Sequence, residues 1–238
     1  WLRSSVEERD ADGTRRMSGG KGNKLGTPQG AVVSPLLANI YMNRFLKHFR
    51  QSGAADAFRA HVVAYADDLV ILSRGRAAEA LTWMRDAMTK LGLTLNEAKT
   101  SLKDARKERF DFLGYSFGPH WFKKNGKWYL GASPSKKSMQ RFKTKVGDRL
   151  VPANVQPWED VRDELLGWSH YFSYGATAGA YKHVDWHVYQ RARDFLTRRH
   201  KVQGRGTMRF SCDVVYGELG LIRLERLPRS HVPAVGPT

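Results

Sequence analysis

The sequence is poor in cysteine, with Cys212 alone among 238 residues. A single thiol excludes an internal disulfide and a zinc site built from cysteine pairs. Such low cysteine content fits a reducing compartment. Long apolar runs are missing too, because no stretch approaches the roughly 18 residues that span a bilayer. We therefore expect a cytoplasmic protein with no membrane partner.

Acidic residues are also scarce relative to basic ones. The 23 Asp and Glu residues face 40 Lys and Arg residues, which gives a net charge of +17. Such a surplus attracts a polyanion, and nucleic acid is the expected partner. The alternatives are a merely basic soluble protein and one that meets an anionic membrane surface. Apolar residues reach 41% of the chain, enough for the packed core of one or two domains.

The apolar pattern of the first half alternates between helix and strand. Apolar spacing of three and four residues predicts helices, and short β-branched runs predict strands. The predicted elements are a helix over 34–52, a hairpin of two buried strands over 61–72, a helix over 77–91, and strands near 93–96, 109–117 and 127–131. The last two strands are joined by a segment that ends in Asn125-Gly126, a strong hairpin signal.

The second half is helical in pattern. Three apolar stripes, over 139–150, 158–172 and 181–196, predict three helices that pack as a small bundle. The fold class is therefore α+β, with an antiparallel sheet and its helices followed by a three-helix domain. The predicted domains are 1–133, 134–200 and a basic C-terminal tail over 201–238.

A pair of adjacent carboxylates is the sharpest chemical feature. Residues 65–68 read YADD, and the two aspartates fall between the two apolar strands of the predicted hairpin. Two like charges in one turn repel each other unless a cation neutralises them. Hard oxygen ligands of this kind suit Mg²⁺, which commonly takes one or two carboxylates together with substrate phosphates. A solvated Asp-Asp turn is the structural alternative.

Five ordered motifs resemble those of group II intron reverse transcriptases. They are GTPQGAVVSPLLANIY at 26–41, YADD at 65–68, LGLTLNEAKT at 91–100, FLGY at 112–115 and GWSHYF at 167–172. The fourth is similar to the primer-grip motif, and the fifth is similar to the maturase-specific thumb, or domain X. The resemblance implies a partial reverse-transcriptase palm followed by a three-helix thumb. An ordered series of this kind is far more specific than one short match.

The resemblance implies roles for the hairpin residues. Asp67 would be the main Mg²⁺ ligand, with Asp68 beside it in a lesser role. Tyr65 and Ala66 would lie near the primer terminus. Two such ions would activate the attacking 3′-hydroxyl and stabilise the leaving pyrophosphate.

Other roles follow from the same resemblance. Pro28, Gln29 and Gly30 would shape the nucleotide and template pocket. Lys99 would neutralise or protonate the leaving group, although a solvated lysine at a strand end is an equal alternative. Tyr115 would contact the primer, whereas its neighbours in the motif are better explained as core residues.

The chain departs from the family pattern in two respects. Ala31 stands where the family usually has a second glycine. The family's third aspartate, on an earlier strand, has no counterpart here. The only upstream acids are Glu7, Glu8, Asp10 and Asp12, in polar sequence without a strand pattern. The chain also starts without methionine. We expect a fragment that lacks the fingers and the first palm aspartate and is inactive alone.

Two groups of cations are candidates for nucleic-acid binding. A solvated helix face is the alternative, but a charge of one sign repels itself unless phosphates share the surface. The candidates are Lys136, Lys137, Arg141, Lys143 and Lys145 on the first thumb helix, and Arg198, Arg199 and Lys201 after the third.

The resemblance implies an RNA-directed DNA polymerase of a group II intron with a role in RNA splicing. Its implied partners are structured intron RNA, an RNA template with a DNA primer, and deoxynucleoside triphosphates. A non-catalytic RNA-binding maturase and a defence-associated reverse transcriptase are the alternatives. Oligomeric state is left open.

Overall fold

The computed structural model divides the chain into two compact units, Trp1–Leu102 and Lys103–Thr238. The described residues are 5–9, 13–19, 32–122 and 125–228. Within those residues, no helix combines the length and the apolar character that a membrane crossing requires.

The first unit contains two hairpins and three helices. Its elements are β1 (Ser5–Arg9), β2 (Arg15–Gly19), α1 (Ser34–Gln51), α2 (Ala54–Ala57), β3 (Ala60–Tyr65), β4 (Asp68–Ser73) and α3 (Ala77–Lys90). Strands β1 and β2 pair antiparallel, as do β3 and β4. The predicted helices over 34–52 and 77–91 are confirmed as α1 and α3.

Two predictions for this unit are wrong. The polar residues at the start of the chain do form a strand, β1, which carries Glu7 and Glu8. The Glu7 carboxylate lies 3.3 Å from Nε of Arg15 on β2. Conversely, the predicted strand at 93–96 is an irregular segment. Its leucines pack against the core of α3 without a partner strand, so their alternation does not produce a ladder.

The core of the first unit lies between α1, α3 and one face of the β3–β4 hairpin. Phe45 of α1 and Met84 and Met88 of α3 are buried there, and Val62 and Ile71 pack against them. The prediction of two buried strands is therefore wrong for half of the side chains. Successive residues of a strand point to opposite faces, and only one face of this hairpin meets the helices.

The second unit places a three-stranded sheet before three helices. Its elements are β5 (Phe110–Phe112), β6 (Tyr115–Phe122), β7 (Lys127–Pro134), α4 (Lys136–Arg149), α5 (Trp158–Tyr171) and α6 (Ala178–Arg199). The sheet is antiparallel in the order β5-β6-β7. The predicted helices and the hairpin at Asn125-Gly126 are confirmed. The single strand predicted over 109–117 is instead two strands, β5 and β6, joined by a turn at Leu113-Gly114.

The helical core continues beyond α6. Phe210, Val215, Leu221 and Leu224 are buried in the same cluster as the apolar residues of α4, α5 and α6. The apolar part of the predicted basic tail therefore belongs to the core, while its Pro-rich end lies outside the described residues. The predicted limits 1–133, 134–200 and 201–238 stay predictions.

Asp185 of α6 fixes the segment that follows. Its carboxylate accepts hydrogen bonds from the backbone N–H groups of Leu224 at 2.8 Å and Glu225 at 3.0 Å. The side chain is buried, and burial raises its pKa above the ordinary aspartate value, against the lowering effect of these two bonds. A buried carboxylate with two backbone donors is a structural anchor for the chain after α6.

Candidate active site and nucleic-acid surface

The two aspartates lie at the turn of the β3–β4 hairpin. Tyr65 pairs with Asp68, so that Ala66 and Asp67 form the two-residue connection. Ala66 has φ 51°, a left-handed conformation that costs an L-residue roughly 1–2 kcal/mol. A two-residue hairpin turn needs such a positive φ to match the twist of its strands. The turn therefore holds both carboxylates on a short and defined connection.

The paired strands direct the side chains of the site. Val62, Leu69 and Ile71 pack toward the helices. Residues directly opposite on two strands share a face, so Tyr65 and Asp68 lie together on the other side of the hairpin. Tyr65 is 65% exposed, and both aspartates are exposed. The carboxylates and the phenol ring are thus accessible to a large substrate.

The donor set fits part of a magnesium site. Two adjacent carboxylates supply hard oxygen ligands, and Mg²⁺ commonly uses only one or two together with phosphate oxygens. Among the described residues, no group of three or more His, Cys, Asp and Glu side chains is arranged to hold a metal. Asp67 and Asp68 could therefore supply two ligands of an ion, with substrate oxygens completing its shell.

Lys99 lies in an irregular segment that an ion pair holds against α3. Arg85 of α3 donates two hydrogen bonds to the Glu97 carboxylate, at 2.9 and 2.8 Å. These bonds lower the pKa of Glu97 below its usual value. Lys99 follows two residues later, and its backbone N–H donates to the Asn96 carbonyl at 3.0 Å. Its side chain is exposed, so its ammonium group is available to a phosphate.

Pro28, Gln29 and Gly30 lie outside the described residues. Their predicted part in the nucleotide pocket stays a prediction.

Tyr115 takes part in a reciprocal pair of tyrosines within the second unit. Its hydroxyl donates to the Tyr171 carbonyl at 2.6 Å, and the Tyr171 hydroxyl donates to the Leu113 carbonyl at 2.7 Å. Its ring lies 4.9 Å from that of buried Phe172. Burial raises the pKa of the Tyr115 hydroxyl above its ordinary value. Tyr115 therefore ties the sheet to the end of α5, and only its remaining exposed edge is open to a primer.

The cations of α4 divide into two groups. Lys145 forms an ion pair with Glu164 of α5, and Arg149 lies 3.2 Å from Glu164 and 3.5 Å from Asp160. Burial alone would raise the pKa of Glu164, but the bonds from Lys145 and Arg149 hold it below the usual range. These two cations therefore connect α4 to α5. Lys143 is half-buried.

The other cations of α4 are directed to solvent. Lys136, Lys137 and Arg141 are exposed, and none of them forms an ion pair with a described acidic residue. A shallow, open depression along the helix is lined by Lys137, Arg141 and Lys145. The unpaired positive charge is concentrated in the first half of α4, which we call the α4 cation face (Lys136, Lys137 and Arg141).

The cations in the last turn of α6 and just after it also differ in their surroundings. Arg199 donates to the Val155 carbonyl at 2.6 Å, and its guanidinium lies 5.8 Å from the ring centre of Phe195. Arg198 and Lys201 are exposed, and no described acid pairs with either. Arg199 thus has a structural role within the second unit, whereas the other two are open to an anion.

Sequence reasoning missed a pair of exposed tryptophans. Trp121 on β6 and Trp128 on β7 lie directly opposite each other, 49% and 66% exposed. The Asn-Gly turn predicted the hairpin but not its register, because the connection spans four residues rather than two. The sequence shows neither this register nor the exposure of the two side chains, so it did not predict the pair.

Comparisons with known families match two successive parts of the chain. The family model for reverse transcriptase (RNA-dependent DNA polymerase) matches residues 2–117, which include the β3–β4 hairpin and Lys99. The model for the group II intron maturase-specific domain matches residues 139–210, which include α5, α6 and most of α4. No curated protein gave a match to the chain.

Proposed function

The chain belongs to the intron-encoded reverse transcriptases with a group II maturase-specific domain, and from this premise we propose that Asp67 and Asp68 form part of its polymerase metal site. Members of this family are RNA-directed DNA polymerases with a role in the splicing of their intron. The observation that carries the proposal is the tight β3–β4 turn, which presents two exposed carboxylates above a core-packed hairpin. In a purely structural turn, two adjacent carboxylates would only repel each other, whereas a bound cation makes the pair favourable.

The roles of the chain's own side chains follow from their exposure. Asp67 and Asp68 hold magnesium, which when bound neutralises the triphosphate and makes the primer 3′-hydroxyl a better nucleophile. Tyr65 presents its ring on the same face as Asp68, where it positions the primer terminus. Lys99 supplies an exposed ammonium group for the phosphates. Pro28, Gln29 and Gly30 complete the nucleotide pocket.

The partners we propose are structured intron RNA, an RNA template with its DNA primer, and deoxynucleoside triphosphates. The α4 cation face supports the nucleic-acid part, because its three charges have no described acidic partner. Structured RNA is recognised largely through its phosphates and its shape, which an exposed basic helix suits. Arg198 and Lys201 offer further unpaired charge in the same unit.

A second candidate function is that of an RNA-binding maturase without polymerase activity. The observation in its favour is that the described residues supply only two adjacent carboxylates to a metal. Two-metal catalysis requires ligands that hold both ions roughly 4 Å apart. Asp67 and Asp68 share one turn and meet that requirement only with a further ligand. Metal binding and primer extension distinguish the two candidates.

The metal site is tested by replacing Asp67→Asn, which keeps the shape of the side chain and removes its charge. We expect the affinity for Mn²⁺, a paramagnetic substitute for Mg²⁺, to fall by at least about tenfold, since even supporting residues of metal sites contribute that much. Electron paramagnetic resonance of the chain measures the bound ion without any need for activity. RNA affinity should stay within about twofold, because the basic surface is untouched.

Asp56→Asn is the matched control, since Asp56 is an exposed aspartate on α2 of the same unit. The same variants are compared by primer extension in the longest natural form of the protein that contains these residues. In that form, Asp67→Asn should abolish DNA synthesis. The 238-residue chain by itself is expected to give no extension. Mn²⁺ affinity and extension that survive in Asp67→Asn as in the control would reject the polymerase site.

A further inference from the structure

The β6–β7 hairpin extends beyond the rest of its sheet. Strand β5 pairs with β6 only over residues 115–117, whereas β6 and β7 stay paired as far as Phe122 and Lys127. The outer part is thus a two-stranded ribbon. Such a ribbon is marginally stable in water by itself. A surface of this kind is therefore expected to carry polar side chains unless it meets a partner.

The ribbon instead carries exposed aromatic and aliphatic side chains. Trp121 and Trp128 lie on one face with ring centres 5.4 Å apart and planes inclined by 62°. Leu130, two residues beyond Trp128, shares this face and is 62% exposed. On the opposite face Phe122 and Tyr129 are also exposed. Contiguous exposed apolar surface of this kind marks an interaction site in a soluble protein.

The charge around the ribbon identifies the kind of partner. No acidic residue occurs between Asp111 and Asp148 in the sequence. Lys127 is exposed at the start of β7, and the connection contains two more lysines at positions 123 and 124. Aromatic side chains within a purely cationic segment suit unpaired nucleotides, whose bases stack on the rings while their phosphates meet the lysines.

The exposed indole rings favour single strands over duplex. In a duplex the base faces are already stacked on each other, so a protruding indole finds no free face except at an end. An unpaired base can lie flat on a ring face of Trp128, which is 66% exposed. In an edge-to-face pair the neighbouring indole covers at most one face of a ring, so the other face is left to a base.

We propose that the end of the β6–β7 hairpin is a stacking site for unpaired nucleotides, with Trp128 as the platform. The site shares no residue with the aspartate turn or with the α4 cation face. This proposal rests on the proposed nucleic-acid function. It adds a second binding site, at the end of the β6–β7 hairpin, and assigns unpaired nucleotides as its ligand. RNA and DNA single strands offer the same bases and phosphates, and both are included in the test.

The test measures the affinity of the whole chain for fluorescent oligonucleotides of about 12 nucleotides, a length within the usual range of single-strand sites. The probes are oligo(U), oligo(dT) and a blunt duplex of equal length. Trp128→Ala should weaken binding of the single strands by about 5- to 100-fold and leave duplex binding within about twofold, since stacking on one aromatic contributes that much. Trp128→Phe should retain most of the affinity.

Trp186→Ala is the matched control, because Trp186 on α6 is 64% exposed and lies outside the ribbon. The loss caused by Trp128→Ala should persist as salt rises, because stacking of a base on a ring releases no counterions. If Trp128→Ala lowers the affinity for oligo(U) and oligo(dT) equally, the site binds single-stranded RNA and DNA alike. If it lowers the affinity for oligo(U) alone, the site is specific for RNA.

Several results would overturn the proposal. These are unchanged single-strand affinity in Trp128→Ala, an equal loss on the duplex, or an equal loss in Trp186→Ala. If Trp128→Ala abolishes binding to anionic lipid vesicles and leaves oligonucleotide binding intact, the ribbon is a membrane-binding surface instead. If the wild-type chain binds neither single strands nor duplex, the proposed nucleic-acid function itself fails. If it binds them independently of Trp128, only the stacking site fails.

Discussion

Gly114 occupies a turn that leaves no room for a side chain. Leu113 and Gly114 have φ 48° and 79°, as a two-residue hairpin turn with positive φ at both positions requires. A Cβ atom at residue 114 would lie 2.9 Å from Oγ of Ser138 and 3.2 Å from Cζ of Phe172. The glycine thus lets the FLGY turn approach α4 and the end of α5 closely.

Gly114→Ala is therefore expected to lower the free energy of unfolding by about 1–3 kcal/mol, from backbone strain and the close contacts together. Gly167 provides a control of opposite sign. It lies within α5 with open space around it, so Gly167→Ala should raise the free energy of unfolding by up to about 1 kcal/mol through helix propensity. Urea denaturation followed by circular dichroism measures both. Equal effects of the two substitutions would contradict the assigned packing of the turn.

His187 is half-buried on α6 and favours its neutral form. Its Nε2 atom is buried without a hydrogen-bond partner among the described residues. Burial lowers its pKa, and the nearby cations Lys143 and Arg191 lower it further, against a hydrogen bond with the Lys143 backbone. Because the unfolded chain binds a proton more readily, the stability that neutral His187 contributes is present above the ordinary histidine pKa of about 6.5. It is lost as pH falls from there through the lowered folded value.

We therefore predict that unfolding free energy decreases as pH falls below about 6.5, and that His187→Gln reduces this decrease. His183→Gln, at an exposed position one turn earlier on α6, is the matched substitution for comparison. His120 is also buried with a lowered pKa, so some pH dependence should remain in the His187 variant. Denaturation curves between pH 5 and 8 give the slopes. A His187 variant with the wild-type slope would refute the linkage.

At the scale of elements, α4 combines an internal and an external function. Lys145 and Arg149 join the helix to α5, whereas the α4 cation face has no described acidic partner. Charge alone does not distinguish these two groups, since both belong to one basic helix. The distinction comes from Glu164 and Asp160 of α5, which approach the second half of α4 only.

The two groups should respond oppositely to substitution. Replacing Lys136, Lys137 and Arg141 by Ala should weaken binding of structured RNA and lower its salt slope by about one unit per lost phosphate contact, with little effect on stability. Replacing Lys145 and Arg149 by Ala should lower stability by about 0.2–1 kcal/mol per exposed ion pair and affect RNA binding less. Filter binding and thermal unfolding of both variants provide the comparison. A larger binding loss in the second variant would contradict this division.

At the scale of the whole molecule, the net charge of +17 determines the response to salt. Each phosphate neutralised by a lysine or arginine releases counterions, so the logarithm of affinity should fall linearly with the logarithm of salt concentration. For about six to ten phosphate contacts, affinity for structured RNA should fall by about 10³–10⁵ between about 50 and 200 mM salt. Titrations in potassium chloride measure the slope. An affinity independent of salt would exclude the electrostatic account.

Much of the local structure could be predicted because its causes lie within a few residues. The apolar spacing of α1, α3, α4, α5 and α6 and the Asn125-Gly126 turn were sufficient for those elements. The prediction failed where partners decide the outcome. The polar strand β1 forms because β2 pairs with it, and the leucines of 93–96 have no partner strand and pack against a helix instead.

The sequence by itself determined the chemistry of the candidate site. YADD supplies two carboxylates in one turn, the ordered motifs identify the family, and the surplus of lysine and arginine predicts an anionic partner. These properties depend on residue type and on short spacing, which no tertiary contact alters. Of the remaining site residues, Pro28, Gln29 and Gly30 lie outside the described chain and stay predictions.

Only the tertiary structure decided which of these side chains are free to act. The Tyr115 hydroxyl donates its hydrogen bond to the Tyr171 carbonyl, and Lys145 and Arg149 form ion pairs with acidic residues of α5. Trp121 and Trp128 meet because of the register of β6 and β7, and their exposure follows from the end of β5. Such contacts join residues that are distant in sequence or depend on a strand's neighbours. Local pattern carries no information about them, because each depends on how the whole unit closes around its core.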